Sequence, residues 1–368
     1  MMRRVTVVAF LVLSVVGLTL SPVASAPSTL QVVDTGVVAQ FPASLQFTVS
    51  AESPYPVTDV RLLYQMDKMN YATVTSESWA SFESSTSVRT SWTWDMRRAS
   101  LPPGAEITYW WKVRDASGVI VETAPATIAF NDDRHEWQSI ESDRVTIFWY
   151  YGSDAFAREL LNVCDAAVES LAQDIGARVD RRITVYIYQS ADDLRQAMVY
   201  PQDWTGGVAF TDYGIVALGI GPGNMEWGTR ALRHELTHLV VNTLTFSPYG
   251  GLPTWLDEGL AMDSEGEPAS TFVSVLRQAV ESDALISLRT LNGPFSSDTQ
   301  KAYLSYAQSS SIVHYLLSTY GAESMHELLT LFTRGETVDF ALRQSYGKGI
   351  EDIEADWRAA VGVKMANA

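Results

Sequence analysis

The chain has 368 residues, 46% of them hydrophobic and 11% aromatic, which suffices to bury a sizeable core in two domains and is too apolar for a disordered protein. Its 43 acidic against 26 basic side chains give a net charge of -17, which argues against nucleic-acid or anionic-membrane partners and fits a soluble exported protein. The single cysteine, Cys164, excludes intramolecular disulfides and any zinc site with two or more thiolates, so a bound metal would fall to histidines and carboxylates.

Residues 1–26 carry Arg3 and Arg4, an apolar run from Val5 to Leu20 and the small residues Val23-Ala24-Ser25-Ala26, the layout of a secretory signal. We expect its removal and a secreted, extracellular protein. Pro27 is an unfavourable residue after a cleavage site, and a retained segment would tether the chain to a membrane. From 27 to 130 the pattern has period two, with Leu45, Phe47 and Val49, and later Ile107, Tyr109, Trp111 and Val113, alternating with polar or amphipathic neighbours. Turn signals at Ser53-Pro54, Pro102-Pro103-Gly104 and Asp115-Ala116-Ser117-Gly118 punctuate it, which predicts an all-β sandwich of immunoglobulin or fibronectin type. Asn131-Asp132-Asp133-Arg134 reads as a hinge into a second domain, 131–368.

That second domain opens with a strand at Val145–Tyr150 and a helix from about Asp154 to Asp174, whose apolar stripe holds Cys164 as a small buried residue. A strand at Ile183–Tyr188, a short helix from about Ala191, and extended segments at Val208–Phe210 and Ile215–Ile220 follow. From Glu226 onward the chain reads as helical. Strands first and helices last predict an α+β domain with a helical C-terminal half.

Within the helical pattern from Glu226 to about Leu244 lies Arg233-His234-Glu235-Leu236-Thr237-His238. Residues four apart share a helix face, so His234 and His238 can aim two imidazoles at one metal ion, with Glu235 beside them to activate water. His135-Glu136 and His326-Glu327 also begin this way but lack the second histidine. A catalytic zinc needs a third protein ligand. Leu252-Pro253-Thr254-Trp255-Leu256-Asp257-Glu258-Gly259-Leu260-Ala261, a helix start, offers Glu258, with Asp257 as the alternative carboxylate.

This last stretch resembles the W-L-x-E-G-x-A signature of gluzincins, the clan of the thermolysin-like proteases and membrane-alanyl-type aminopeptidases. Nineteen residues lie between His238 and Glu258, one more than in those aminopeptidases, and the loop Ser247–Gly251 can absorb it. The wider likeness, over about Trp137 to Trp357, is to peptidase MA-like bacterial and archaeal metallohydrolases. It implies one catalytic Zn2+ on His234, His238 and Glu258, Glu235 as general base, and a peptide or protein substrate. It also implies an oxyanion-binding tyrosine at Tyr306, with Tyr303 in reserve.

Two departures qualify the likeness. The aspartate that orients the first histidine is replaced by Met262, which leaves Asn242, Asp257 and Asp263 as candidates for that support. The aminopeptidase G-x-M-x-N stretch has only Gly206-Gly207-Val208-Ala209 as a counterpart, without the glutamate, so an endopeptidase is expected. Tyr213–Gly219 is either an edge strand that pairs with substrate or an interior strand. Rival readings are an inactive cell-surface binding protein and a zinc hydrolase of non-peptide substrates.

Overall fold

The computed structural model describes residues 28–69, 72–201 and 205–366, and the expected leader over 1–26 lies outside them. The alternating N-terminal part forms β1 (Gln31–Gln40), β2 (Ser44–Glu52), β3 (Val57–Met66), β4 (Ser76–Trp79), β5 (Ser87–Asp95), β6 (Ala105–Asp115), β7 (Ile120–Glu122) and β8 (Ala126–Phe130). They pair antiparallel as two sheets, β1-β2-β5 and β4-β3-β6-β7, with β8 also on β6. Leu45, Phe47, Val49 and Ala51 point inward from β2, as do Ile107, Tyr109, Trp111 and Val113 from β6. The two inner faces close on one apolar core, where each large buried side chain stabilises by about 1.5–3 kcal/mol.

The rest of the chain mixes strands and helices. β9 (Gln138–Glu141) and β10 (Val145–Trp149) are followed by α1 (Asp154–Ile175), β11 (Ile183–Tyr188) and α2 (Ala191–Gln196). Next come β12 (Gly207–Phe210), a 3-10 turn at Thr211–Tyr213, and β13 (Ile215–Gly219). Helices then take over: α3 (Met225–Thr245), α4 (Thr254–Ser264), α5 (Ser270–Glu281), α6 (Thr299–Thr333, interrupted at Gly321), α7 (Val338–Tyr346) and α8 (Ile350–Ala366). Among the described residues no helix is long and apolar enough to cross a membrane.

These strands make one sheet in the order β12-β13-β11-β10-β9, with β10, β11 and β13 parallel. Of the two readings left open for Tyr213–Gly219, the structure selects the interior strand: β13 lies between β12 and β11. All five of its residues are buried, as suits a continuous apolar run in a parallel sheet, and the half-buried β12 forms the edge.

Helix α1 is capped by Ser153, which accepts from the Phe156 N–H, and ends at Gly176 in the left-handed conformation. Its stripe of Leu160, Cys164, Val168 and Leu171 is buried in the core, and burial pushes the Cys164 thiol far up, out of reactive range. Helix α3 has no side-chain cap at its N-terminus. Packing holds it instead, through the buried Leu232, Leu236, Leu239 and Val240. Where α4 meets α6, a Cβ on Gly259 would stand 2.6 Å from the Ser309 carbonyl oxygen, so glycine sets how closely the two helices approach.

Candidate metal centre

Helical spacing brings His234 and His238 together on α3, with their Nε2 atoms 3.2 Å apart. Packing of α4 against α3 delivers Glu258, whose Oε2 lies 3.5 Å from His234 Nε2 and 3.6 Å from His238 Nε2. Three donors at about 2.0–2.2 Å from a tetrahedral zinc stand about 3.3–3.6 Å from one another, so this triangle has the size the ion requires. Glu258 Oε2 is shielded from solvent and has no hydrogen-bond partner, which leaves a buried anionic lone pair aimed at the same point as two imidazoles. The residues present therefore fit a zinc ion.

Each histidine is oriented from behind. His234 Nδ1 donates to Glu265 Oε1 at 3.0 Å, and Glu265 Oε2 accepts from Arg230 at 3.1 Å. His238 Nδ1 stands 3.2 Å from Asp257 Oδ1. With each Nδ1 engaged by a carboxylate, both Nε2 atoms are turned toward the point where a metal would sit. Asp257 thus supports a histidine, one of the two uses expected of it. Asp263 lies 3.2 Å from His314 Nδ1 instead, and no hydrogen bond among the described residues joins Asn242 to either histidine. Glu265 escaped the sequence reading. It sits seven residues beyond Glu258, two turns along the same helix face at the end of α4, and that spacing was the available signal.

The electrostatics match a cation site. Burial pulls the His234 imidazole down, but the nearby Glu258 carboxylate and the hydrogen bond to Glu265 outweigh it and hold the group up at about 10. Burial likewise opposes His238, and Asp257 raises it. Glu235 is pushed above the ordinary carboxylate range by burial, although both histidines and the Ala209 backbone N–H favour its charged form.

Two cavities meet at Glu235 and Gly207. One of about 380 Å³ is lined by Val208, Ala209, Thr211, His238, Asn242 and Glu258, and the other, of about 370 Å³, by Gly206, Trp227, Arg230, His234, Glu265 and Tyr306. The segment Gly206–Ala209 therefore does border the site. A Cβ on Gly207 would come 3.0 Å from Glu235 Oε1, so the strand backbone approaches that carboxylate closely. Tyr306, on α6, packs edge-on to Phe295, and burial, together with Glu258 and Glu235, pushes its hydroxyl up to about 12. Tyr303, 40% exposed, packs on Phe272 and does not line either cavity. The other two His-Glu pairs lie elsewhere: His135 stacks on Tyr150, and His326 Nδ1 donates to the Ile175 carbonyl at the end of α1.

A family model described as the Peptidase MA superfamily matches residues 163–363, more than half of the chain. The chain belongs to the Peptidase MA superfamily. No curated protein matches it. Among solved structures, this superfamily member is similar to an M1 zinc metallopeptidase from Deinococcus radiodurans, at 12% identity over 90% of this chain and 94% of that one, with a TM-score of 0.39. A mutant M1 zinc metallopeptidase from the same organism, bound to a Tyr-Ser-Ala substrate, aligns at 12% identity over 89% and 94%, with a TM-score of 0.40. OgpA from Akkermansia muciniphila aligns at 15% identity over 30% of this chain, with a TM-score of 0.22, and the match spans only 31% of OgpA.

Proposed function

We propose that this protein is a secreted zinc metallopeptidase that cleaves within peptide chains. The observation that carries the reading is the unpartnered Glu258 Oε2 facing the two histidine Nε2 atoms, with the buried Glu235 in the same cleft. In this reading His234, His238 and Glu258 hold one zinc, which when bound supplies a Lewis acid and lowers the pKa of water. Glu235 accepts a proton from the attacking water and returns it to the leaving nitrogen. Its raised pKa suits both halves of that exchange. Tyr306 keeps its proton and donates a hydrogen bond to the oxyanion that develops on the scissile carbonyl.

Among the described residues the edge strand β12 pairs on one side alone, which leaves backbone for an extended substrate, a role weighed in the sequence for the segment that forms β13. Cavities on both sides of Glu235 leave room for a chain that continues in both directions, which supports endopeptidase action. The leader-like residues 1–26 support secretion. Two antiparallel sheets around one core support an immunoglobulin- or fibronectin-type domain over 27–130, ahead of a catalytic domain over 131–368.

The test is Glu235→Gln against wild type on a mixed peptide pool, with metal content measured in both. The variant should bind zinc as wild type does and lose at least about a hundredfold in turnover. An active Glu235→Gln enzyme, or a zinc-loaded wild type that cleaves no peptide, would reject the proposal.

A further inference from the structure

The N-terminal sheets reach the strand that borders the metal site. After β3 the chain carries Asp67, Lys68 and Met69 away from their own core, and Met69, 3% exposed, packs into the apolar core of the second half. The Met69 N–H donates to the Asp212 carbonyl at 2.6 Å, and Lys68 Nζ pairs with Asp212 Oδ2 at 3.0 Å. Asp67 pairs with Arg181, and the Tyr213 hydroxyl donates to Met66 Sδ at 3.5 Å. Asp212 and Tyr213 form the turn directly after β12. Gly214 closes that turn at φ 68°, and a Cβ there would stand 2.4 Å from Met69 Sδ. Backbone, charge and sulfur contacts from one loop thus converge on one turn.

The other side of the same stretch faces the site. A Cβ on Gly207 would stand 3.0 Å from Glu235 Oε1, and Val208, Ala209 and Thr211 line the 380 Å³ cavity. β12 has four residues and, among the described residues, pairs with β13 alone. So short an edge strand has few contacts of its own to fix its distance from α3, and segments of that kind open locally at low free-energy cost.

We propose that Met69 is a positioning residue, through which the N-terminal part holds β12 against Glu235 and so sets where an extended substrate lies. The kinetic consequence rests on the peptidase reading, whereas the structural one does not.

Hydrogen–deuterium exchange on the full chain tests it, with wild type, Met69→Ala and Met69→Leu compared. Met69→Ala should speed exchange across 207–213 by about tenfold or more while β11 keeps its protection, and the volume-conserving Met69→Leu should restore the wild-type pattern. In the zinc-loaded enzyme, Met69→Ala should raise KM for an extended peptide about tenfold, with kcat within about twofold and zinc content unchanged. Unchanged exchange over 207–213, or a speed-up spread evenly through β11 and β13, overturns the proposal and leaves Met69 as ordinary core packing. If Met69→Ala fails to fold, Lys68→Ala removes one grip on the turn and spares the core, and must show the same local pattern. A wild type without peptidase activity would defeat the proposed function, while the exchange data would still decide the clamp.

Discussion

The helical wall of the site and its strand wall are built by different means. On the helical wall, α3 and α4 take all three donor atoms from side chains fixed by helix periodicity and one loop, at 3.2–3.6 Å from one another. On the strand wall, β12 contributes mainly backbone, and a loop far away in sequence secures it through Met69 and Asp212. Local spacing therefore places the three donor atoms, whereas the proposed substrate surface rests on contacts between the two halves of the chain. Damage to the first should remove metal, and damage to the second should weaken substrate binding and leave metal in place.

The largest effect expected on the helical wall comes from Glu258→Ala. It takes away one of three ligands, so metal analysis should fall from about one zinc per chain to almost none, with activity lost. Met69→Ala should retain its zinc by contrast. Full occupancy in Glu258→Ala would transfer the ligand role to Asp257 and break the distinction between the walls.

The same division explains what could be read from the sequence. His234 and His238 sit about one turn apart with Glu235 next to the first, and Trp255 to Ala261 follow at nearly the gluzincin spacing, so their convergence is written in local order. The alternation in β2 and β6 is local as well, and both strands pair with the expected face inward. Strand order is a different matter. Val208–Phe210 and Ile215–Ile220 are both short apolar runs, and only the fold decides that the second is enclosed on both sides. Glu265 lay hidden because it acts from the C-cap just past α4, while the position one turn after Glu258 is filled by the buried Met262. The grip of Met69 on Asp212 spans more than a hundred residues and has no local signature at all.

Tyr306→Phe comes next in size and probes the chemistry at the junction of the two walls. Loss of the hydroxyl alone should lower kcat about a hundredfold, with KM and zinc content nearly unchanged, because an oxyanion donor acts only in the transition state. Tyr303→Phe is the control, since that ring packs on Phe272 away from both cavities. A large kcat loss in Tyr303→Phe and none in Tyr306→Phe would show that the helix register assigned to the oxyanion donor is wrong.

Glu265→Gln and Asp257→Asn sharpen the picture of the helical wall. Each weakens the acceptor behind one histidine, and such changes cost on the order of 10–100-fold in metal affinity. The Glu265 side chain is 14% exposed and also held by Arg230, whereas Asp257 is 39% exposed. Competition with a zinc chelator should therefore find the larger loss in Glu265→Gln. Equal losses would mean that exposure does not weaken the Asp257 contact.

Asp263→Asn should have the smallest effect, and it separates one of the three supports that the sequence offered from the residue that the fold uses behind His234. Asp263 faces His314, which is 63% exposed, and no hydrogen bond or ion pair among the described residues joins it to His234. Zinc affinity should stay within about twofold of wild type, because the acceptor on His234 Nδ1 is intact. Stability should shift in a definite direction with pH. Burial, partly offset by His314, holds the Asp263 carboxyl above its ordinary value, so the folded chain binds this proton more tightly than the unfolded chain does. That contribution favours folding at low pH and becomes a cost as pH rises through the carboxylate range. Asparagine carries no such cost, so the variant should melt at the same temperature or slightly higher at pH 7, with the difference shrinking as pH falls toward the ordinary aspartate range. A tenfold loss of zinc in Asp263→Asn would instead show that the second half of α4 acts as one orienting unit, with Glu265 only its nearest member.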